Sequence, residues 1–300
     1  MASEQRRSWP STVVERNRRI HDACPDDYAA RHPEIFNPTE QARIRAVLQD
    51  ALASVDCGSR RPAALDYGAG TGNLTRHLLN LGCLVTAVDV SSQSLATLQR
   101  DMSGHADCRT VVVDGVDLAD LASASFDIVT TYSVLHHVPD YLGIIDEFLR
   151  VVKPGGVIII DHEVCDSYWS CDENYFCYLE ELGGRFRDDH AYELGLSVPG
   201  PAKGRGRWRR LFSPAAWAML AKELVVPRDR TAGLDGDIHV FVDDHIEWEA
   251  IKCRLQDRCC IVRDEDYLVC REPGEEPFVW QRWFGRTADM HLLVAKRSPV

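Results

Sequence analysis

What the 300-residue chain lacks narrows the reading. No long apolar run occurs: the longest unbroken aliphatic stretch is Val157 to Ile160, far short of the roughly 20 residues that span a bilayer. The first residues, MASEQRRSWPSTVVERNRR, carry charge but no apolar stretch, so no secretory signal is expected. The 11 cysteines include no Cys-x-x-Cys pair and are odd in number. Reduced thiols in a cytoplasmic protein are therefore expected, and a cysteine-built zinc site is not. Positive charge is in deficit, 34 Lys and Arg against 46 Asp and Glu, for a net charge of −12. That argues against nucleic acid or an anionic membrane as the partner. The local basic run of Lys203, Arg205, Arg207, Arg209 and Arg210 follows Pro199-Gly200-Pro201 and reads as a surface loop. There is no internal repeat. With 45% hydrophobic residues over this length, a sizeable core needs no staple.

The organisation changes along the chain. Residues 1–58 read as an N-terminal helical segment. Asn37 can cap a helix, Pro38 suits its first position and Glu40 completes a capping box. Ile44, Val47, Leu48, Ala51 and Leu52 then recur at helical spacing. Over 59–161, apolar strands at 62–67, 84–89, 110–113, 126–131 and 157–161 alternate with helices at 73–81, 93–102 and 140–152. This predicts an α/β fold, a doubly wound, mostly parallel sheet with helices on both faces. Residues 162–236, rich in aromatics, Gly and Pro, read as an inserted cap with a helix at 213–224. Residues 237–300 return to the core with a helix at 244–256, a strand pair within 258–271 and a last strand at 291–296.

The sharpest segment is Ala64-Leu65-Asp66-Tyr67-Gly68-Ala69-Gly70-Thr71-Gly72-Asn73. It places a Gly-rich turn between a strand and a helix, so that backbone can approach a ligand closely and the helix start offers free amides. Asp89 ends the next strand, 21 residues after Gly68, where a carboxylate can accept from ribose hydroxyls. Dinucleotide folds use Gly-x-Gly-x-x-Gly to seat a pyrophosphate. Here the spacing is Gly-x-Gly-x-Gly with Asp66 just before it, and a carboxylate suits an ammonium better than a phosphate. Charge sign therefore favours S-adenosylmethionine over a nicotinamide dinucleotide.

These residues resemble motif I of the class I S-adenosylmethionine-dependent methyltransferases, and the rest of the pattern follows in order. Val88-Asp89-Val90-Ser91 resembles the family's ribose-binding strand end, and Val113-Asp114-Gly115 its adenine-binding one. Phe126-Asp127-Ile128-Val129 and Val134-Leu135-His136-His137-Val138-Pro139-Asp140 resemble motif IV and its loop. Leu149 to Gly156 resembles the turn before strand five, and His291 to Lys296 the last, antiparallel strand. The resemblance implies a seven-stranded Rossmann-like sheet. It also implies that Asp66, Gly68, Gly70, Gly72, Asp89, Val90, Asp114, Gly115 and Tyr132 bind S-adenosylmethionine, released as S-adenosylhomocysteine. Tyr67 departs from the small residue or Cys common there. Residues 162–285 match no subfamily.

His136 and His137 follow strand four, and Asp161 ends strand five, so both clusters fall at the ligand-binding edge of the sheet. A His oriented by an acid is what a general base requires, which makes His136, His137 and Asp161 the candidate catalytic residues. Asp161-His162-Glu163 cannot all ligate one ion, because adjacent strand residues face opposite ways, and no metal site is expected. The cap's aromatics, Tyr168, Trp169, Tyr175, Phe176, Tyr178, Phe186, Tyr192, Trp208, Phe212 and Trp217, could sandwich a substrate or form the cap's own core. Tyr28 could close over the cofactor. The expected activity is methyl transfer to oxygen or nitrogen of a small-molecule acceptor in specialised metabolism. Arsenite or thiol methylation through Cys165, Cys171 or Cys177, a nicotinamide-dependent oxidoreductase and a non-catalytic S-adenosylmethionine sensor are the alternatives.

Overall fold

The computed structural model describes residues 13–22, 32–170, 172–183, 236–272, 274 and 276–299. Its centre is a seven-stranded sheet of β1 (Ala63–Tyr67), β2 (Leu84–Asp89), β3 (Cys108–Val112), β4 (Phe126–Tyr132), β5 (Val152–Val164), β8 (Cys259–Tyr267) and β9 (Met290–Arg297). The strand order is β3-β2-β1-β4-β5-β9-β8. The first five strands run parallel, and β9 is antiparallel to both β5 and β8. This is the doubly wound α/β architecture, and its switch point lies between β1 and β4, where ligands bind in such sheets.

The helices are α1 (13–22), α2 (Pro33–Phe36), α3 (Pro38–Ala53), α4 (Asn73–Asn80), α5 (Ser92–Asp101), α6 (Tyr141–Val151), α7 (Glu173–Glu181), α8 (Trp248–Leu255) and α9 (Phe278–Trp283). A two-stranded ribbon, β6 (Val240–Phe241) and β7 (Asp244–His245), completes the described elements. One sheet face packs Val129, Ile158 and Ile160 against α6 and α8. The other packs Ala64, Ile128, Val157 and Ile159 against α3 and α4. Alternation along the buried strands decides which residue meets which layer.

Local chemistry explains the element starts and their departures from expectation. Asn37 caps α3, its Oδ1 accepting from the Glu40 amide at 2.9 Å. The Glu40 carboxylate does not close a capping box. It is drawn instead to Arg43 and to the Tyr132 hydroxyl. Asp140 caps α6 through the Gly143 amide. The helix expected from 244 begins at Trp248, because Asp244 and His245 pair with Val240 and Phe241. In place of a strand pair, 259–267 form one strand along β9.

β5 runs past the expected boundary at 161 to Val164, carrying a bulge between Asp161 and Glu163. Beyond it, Tyr175, Tyr178 and Leu179 of α7 close over Cys165, Tyr168 and Leu268. The described residues of 162–236 thus pack their aromatics against Leu268, Val279, Trp280 and Trp283 from the C-terminal part of the chain, not into a core of their own. The helix expected at 213–224, the basic run 203–210, Tyr28, Cys171, Phe186, Tyr192, Trp208, Phe212 and Trp217 lie outside the described residues. No helix among the described residues is long and apolar enough to cross a membrane.

Candidate active site

A cleft of about 1080 Å³, counting its solvent-filled mouth, opens at the C-terminal ends of β1, β2 and β4. Gly68, Gly70, Asp89, Val90, Gly115, Tyr132 and His137 line it, together with Asn73, Val113, Val134 and Val138. The turn after β1 explains two of its glycines. Gly68 has φ +71° and lies against Val134, so that a Cβ would stand 2.4 Å from the Val134 side chain. Gly70 has φ +53°, and a Cβ there would meet no protein atom within 4 Å. Both φ values belong to the left-handed region that costs other residues about 1 kcal/mol or more.

Asp89 anchors this turn from the neighbouring strand. Its Oδ2 accepts from the Gly70 amide and its Oδ1 from the Ser91 amide, both at 2.8 Å. Burial pushes its carboxyl above the ordinary range, against the pull of those two donors. Each oxygen accepts only one of these bonds and keeps a lone pair, so a vicinal diol can be held here. Val90, Val113, Val134 and Val138 supply apolar walls of the kind a flat base requires. The residues present thus fit a nucleoside-bearing ligand.

Five expected site residues, Asp66, Gly72, Asp114, Asp161 and His136, are not among those that line the cleft. Asp66 faces α4, as strand alternation with Ala64 dictates. It is fully buried, and its Oδ2 accepts the Thr75 hydroxyl at 2.6 Å. Burial pushes its carboxyl up to about 7, so it stands as a support beneath the turn and not beside a ligand's ammonium. Gly72 caps α4 against Leu98. Asp114 folds back on the amides of Val116 and Asp117, at 2.8 and 3.3 Å, as a strand-end cap. Asp161 pairs with Arg43 at 2.8 Å and accepts from the Tyr267 hydroxyl at 3.0 Å, which turns it away from the histidines.

The acid that reaches His136 is Glu163. Its Oε2 lies 2.7 Å from Nδ1 of His136, while its Oε1 accepts from the amides of Val134 and Leu135 at 2.8 and 2.7 Å. The bulge at His162, a non-glycine residue with φ +62°, is the cause. It breaks the alternation of β5, so Asp161 faces α3 while Glu163 sits opposite His291. The His162 ring stacks on Tyr132 at 4.5 Å, with neither ring nitrogen hydrogen-bonded. Burial holds it well below its ordinary value, hence uncharged.

His136 and His137 occupy a short 3-10 turn, Leu135–His137. His137 lines the cleft, and burial, aided by His136, pushes its imidazole down to about 3. Asp237, far along the chain, comes within 3.2 Å of its Nδ1. Burial opposes ionisation of Asp237, but the two histidines outweigh it and hold its carboxyl below the ordinary range.

Residues 65–160, spanning β1 through most of β5, match the family model of a methyltransferase domain. The solved structure of an S-adenosylmethionine-dependent methyltransferase from Mesorhizobium loti shares the fold, with a TM-score of 0.51 at 19% identity over 84% of this chain and 96% of that one. A ubiquinone biosynthesis O-methyltransferase of Paracidovorax citrulli is 38% identical over 173 residues, 57% of this chain and 66% of the relative. The chain belongs to the class I S-adenosylmethionine-dependent methyltransferases. A malonyl-[acyl-carrier protein] O-methyltransferase of Enterobacter lignolyticus is 31% identical over 118 residues, 39% of this chain and 45% of that protein. The aligned stretches thus span at most about two thirds of these relatives.

Several cleft and turn residues escape a sequence reading. Val14, Asn17 and His21 reach the cleft from α1, where the apolar periodicity is weak. Glu163 is hidden by the bulge. Asp237 returns only after the insertion, and its sole local signal is a neighbouring Gly.

Proposed function

We propose that the protein transfers the methyl group of S-adenosylmethionine to an oxygen of a small-molecule acceptor. The observation that carries this reading is the single cleft that joins the Gly68–Gly70 turn and Asp89 to His137. When bound, S-adenosylmethionine supplies an electrophilic methyl on a sulfonium whose departure leaves a neutral thioether. The protein's tasks are to align the partners, exclude water and take a proton from a hydroxyl acceptor. The turn and Asn73 would hold the methionine portion, Asp89 the ribose, and Val90, Val113 and Gly115 the base.

Glu163 holds Nδ1 of His136 and so favours the tautomer whose Nε2 can accept a proton. The His136–Glu163 pair therefore takes the role that the sequence assigns to a histidine with Asp161. His137, neutral at pH 7, would position the acceptor at the cleft wall. Oxygen is preferred to nitrogen because both relatives described above are named O-methyltransferases. Thiol chemistry at Cys165 is disfavoured. Cys165 is sealed in the aromatic cluster and burial pushes its thiol up to about 12, which leaves little of the reactive thiolate. The net charge of −12 favours a small acceptor over a nucleic acid, and the proposed setting is cytoplasmic, specialised metabolism.

Radiolabelled S-adenosylmethionine offered with phenolic, catecholic and carboxylic acceptors should yield labelled methyl ethers or esters. With the acceptor so found, His136→Ala should lower kcat by about 10²–10⁴, the usual worth of a positioned base, and leave S-adenosylhomocysteine affinity unchanged. Wild-type turnover in both His136→Ala and His137→Ala would remove the histidines from the mechanism.

A further inference from the structure

His136, His137 and Asp237 bring three ligating atoms within 4.8 Å of one another. Oδ1 of Asp237 lies 3.2 Å from Nδ1 of His137 and 3.6 Å from Nε2 of His136. Donors around a tetrahedral ion with bonds of about 2.0–2.1 Å stand roughly 3.3–3.4 Å apart. The carboxylate oxygen is therefore already at coordination spacing from both imidazoles.

Two further features mark this cluster as more than a chance ion pair. The first is Glu163, whose oxygen backs Nδ1 of His136 at 2.7 Å while its other oxygen is fixed by the Val134 and Leu135 amides. A carboxylate behind a histidine, setting the tautomer and aiming the opposite nitrogen, is the usual outer support of a metal-bound imidazole. The second is Nδ1 of His137, which is buried and makes no hydrogen bond. Backbone pairing holds the set in place. The amides of Ile238 and His239 donate to the His136 carbonyl at 3.0 and 3.1 Å, and the Asn17 side chain donates to the His137 carbonyl at 2.9 Å.

We propose that His136, His137 and Asp237 form a binding site for a divalent transition cation, of the Zn²⁺ or Fe²⁺ kind, in the wall of the cleft. Two imidazoles and one carboxylate suit such ions better than Mg²⁺ or Ca²⁺, which favour oxygen donors. Three protein ligands leave a coordination position open, as in catalytic sites and unlike closed structural ones. Because His137 lines the cleft, an acceptor hydroxyl can reach that position, where a cation lowers the hydroxyl's pKa. With the ion bound, Nε2 of His136 is a ligand and no longer a base, so the ion takes over the activation of the acceptor hydroxyl assigned above to the His136–Glu163 pair. This use of the ion rests on the methyl-transfer reading, whereas the ligand set stands without it.

The test is a titration of chelator-treated, full-length protein with Co²⁺, read by visible d–d absorption and needing no turnover. The expected result is about one equivalent bound per chain, with the intense bands of four- or five-coordinate Co²⁺. His136→Ala and Asp237→Asn should abolish the bands. Glu163→Gln should fold normally and bind at least tenfold more weakly, the low end of the usual cost of losing an outer partner. Cys177→Ser, at an exposed thiol away from the cluster, should leave the spectrum unchanged. Absence of the bands, or bands that survive both His136→Ala and Asp237→Asn, would overturn the proposal. Calorimetry with S-adenosylhomocysteine on the same metal-free sample reads the cofactor cleft independently. Nucleoside binding without a cation site would leave the methyl-transfer reading standing and this inference refuted, and the converse result would do the opposite.

Discussion

Gly70→Arg should leave no measurable affinity for S-adenosylhomocysteine, while the far-ultraviolet circular dichroism stays that of the folded chain. Gly70 stands at the cleft wall with φ +53° and with no protein atom within 4 Å of where a Cβ would be. Arginine can therefore be accommodated by the fold at about 1–2 kcal/mol of left-handed strain, but its side chain takes space the ligand needs. Asp89→Ala is the complementary test. It removes the acceptor of the Gly70 and Ser91 amides and, in the proposed complex, two charge-assisted bonds to the ribose. At roughly 1.5–3 kcal/mol for each such bond and 1.4 kcal/mol per tenfold, affinity should fall at least about a hundredfold. Calorimetric titration of both variants checks this. Near-normal binding by either one would place the nucleoside outside this cleft.

The second large effect concerns stability. Arg43→Met should cost about 3–5 kcal/mol, the range for breaking a buried ion pair from one side, measured as a lower urea midpoint at unchanged slope. Arg43 reaches Glu40 at 2.6 Å, Asp161 at 2.8 Å and the Tyr267 hydroxyl at 2.9 Å, and its guanidinium lies 4.0 Å from the Tyr267 ring centre. Glu40 and Asp161 are 2% and 3% exposed, so removing the cation strands two carboxylates away from water. Burial already pushes the Glu40 carboxyl up. The triple variant Arg43→Met, Glu40→Gln, Asp161→Asn should recover most of the loss, because it removes the stranded charges along with the cation. A loss below about 1 kcal/mol in the single variant, typical of a surface pair, would show that water reaches the network.

The sheet was legible because its strands announce themselves twice, as apolar runs and as neighbours of Gly, Asp and Pro punctuation. Val85 to Asp89 and Val157 to Asp161 are cases where burial, β-branching and a terminal acid agree. The lining of the cleft was legible at Gly68, Gly70, Asp89, Val90 and Gly115, since chain order places each at the end of a strand beside the switch point. Asp66 shows the limit of a charge argument. The residue is in the motif, but the period of two along β1 turns its carboxyl toward Thr75 and α4.

The histidine cluster was only half legible. His136 and His137 could be placed at the end of β4, but a regular strand puts Asp161 and Glu163 on one face and cannot say which of them serves the histidines. One residue with φ +62° at position 162 settles it by sending Asp161 to Arg43 and Glu163 to His136. Asp237 was beyond reach for a different reason. Its approach depends on Ile238 and His239 pairing with the His136 carbonyl, a contact about a hundred residues long in sequence separation with no periodic pattern behind it.

The most direct test of the central claim is a calorimetric titration of the unmodified protein with S-adenosylhomocysteine, with NADH as the parallel ligand. The account predicts micromolar binding of S-adenosylhomocysteine and none of NADH, because the Gly-x-Gly-x-Gly turn and Asp89 suit a nucleoside without a pyrophosphate. Binding of NADH with no response to S-adenosylhomocysteine would contradict it.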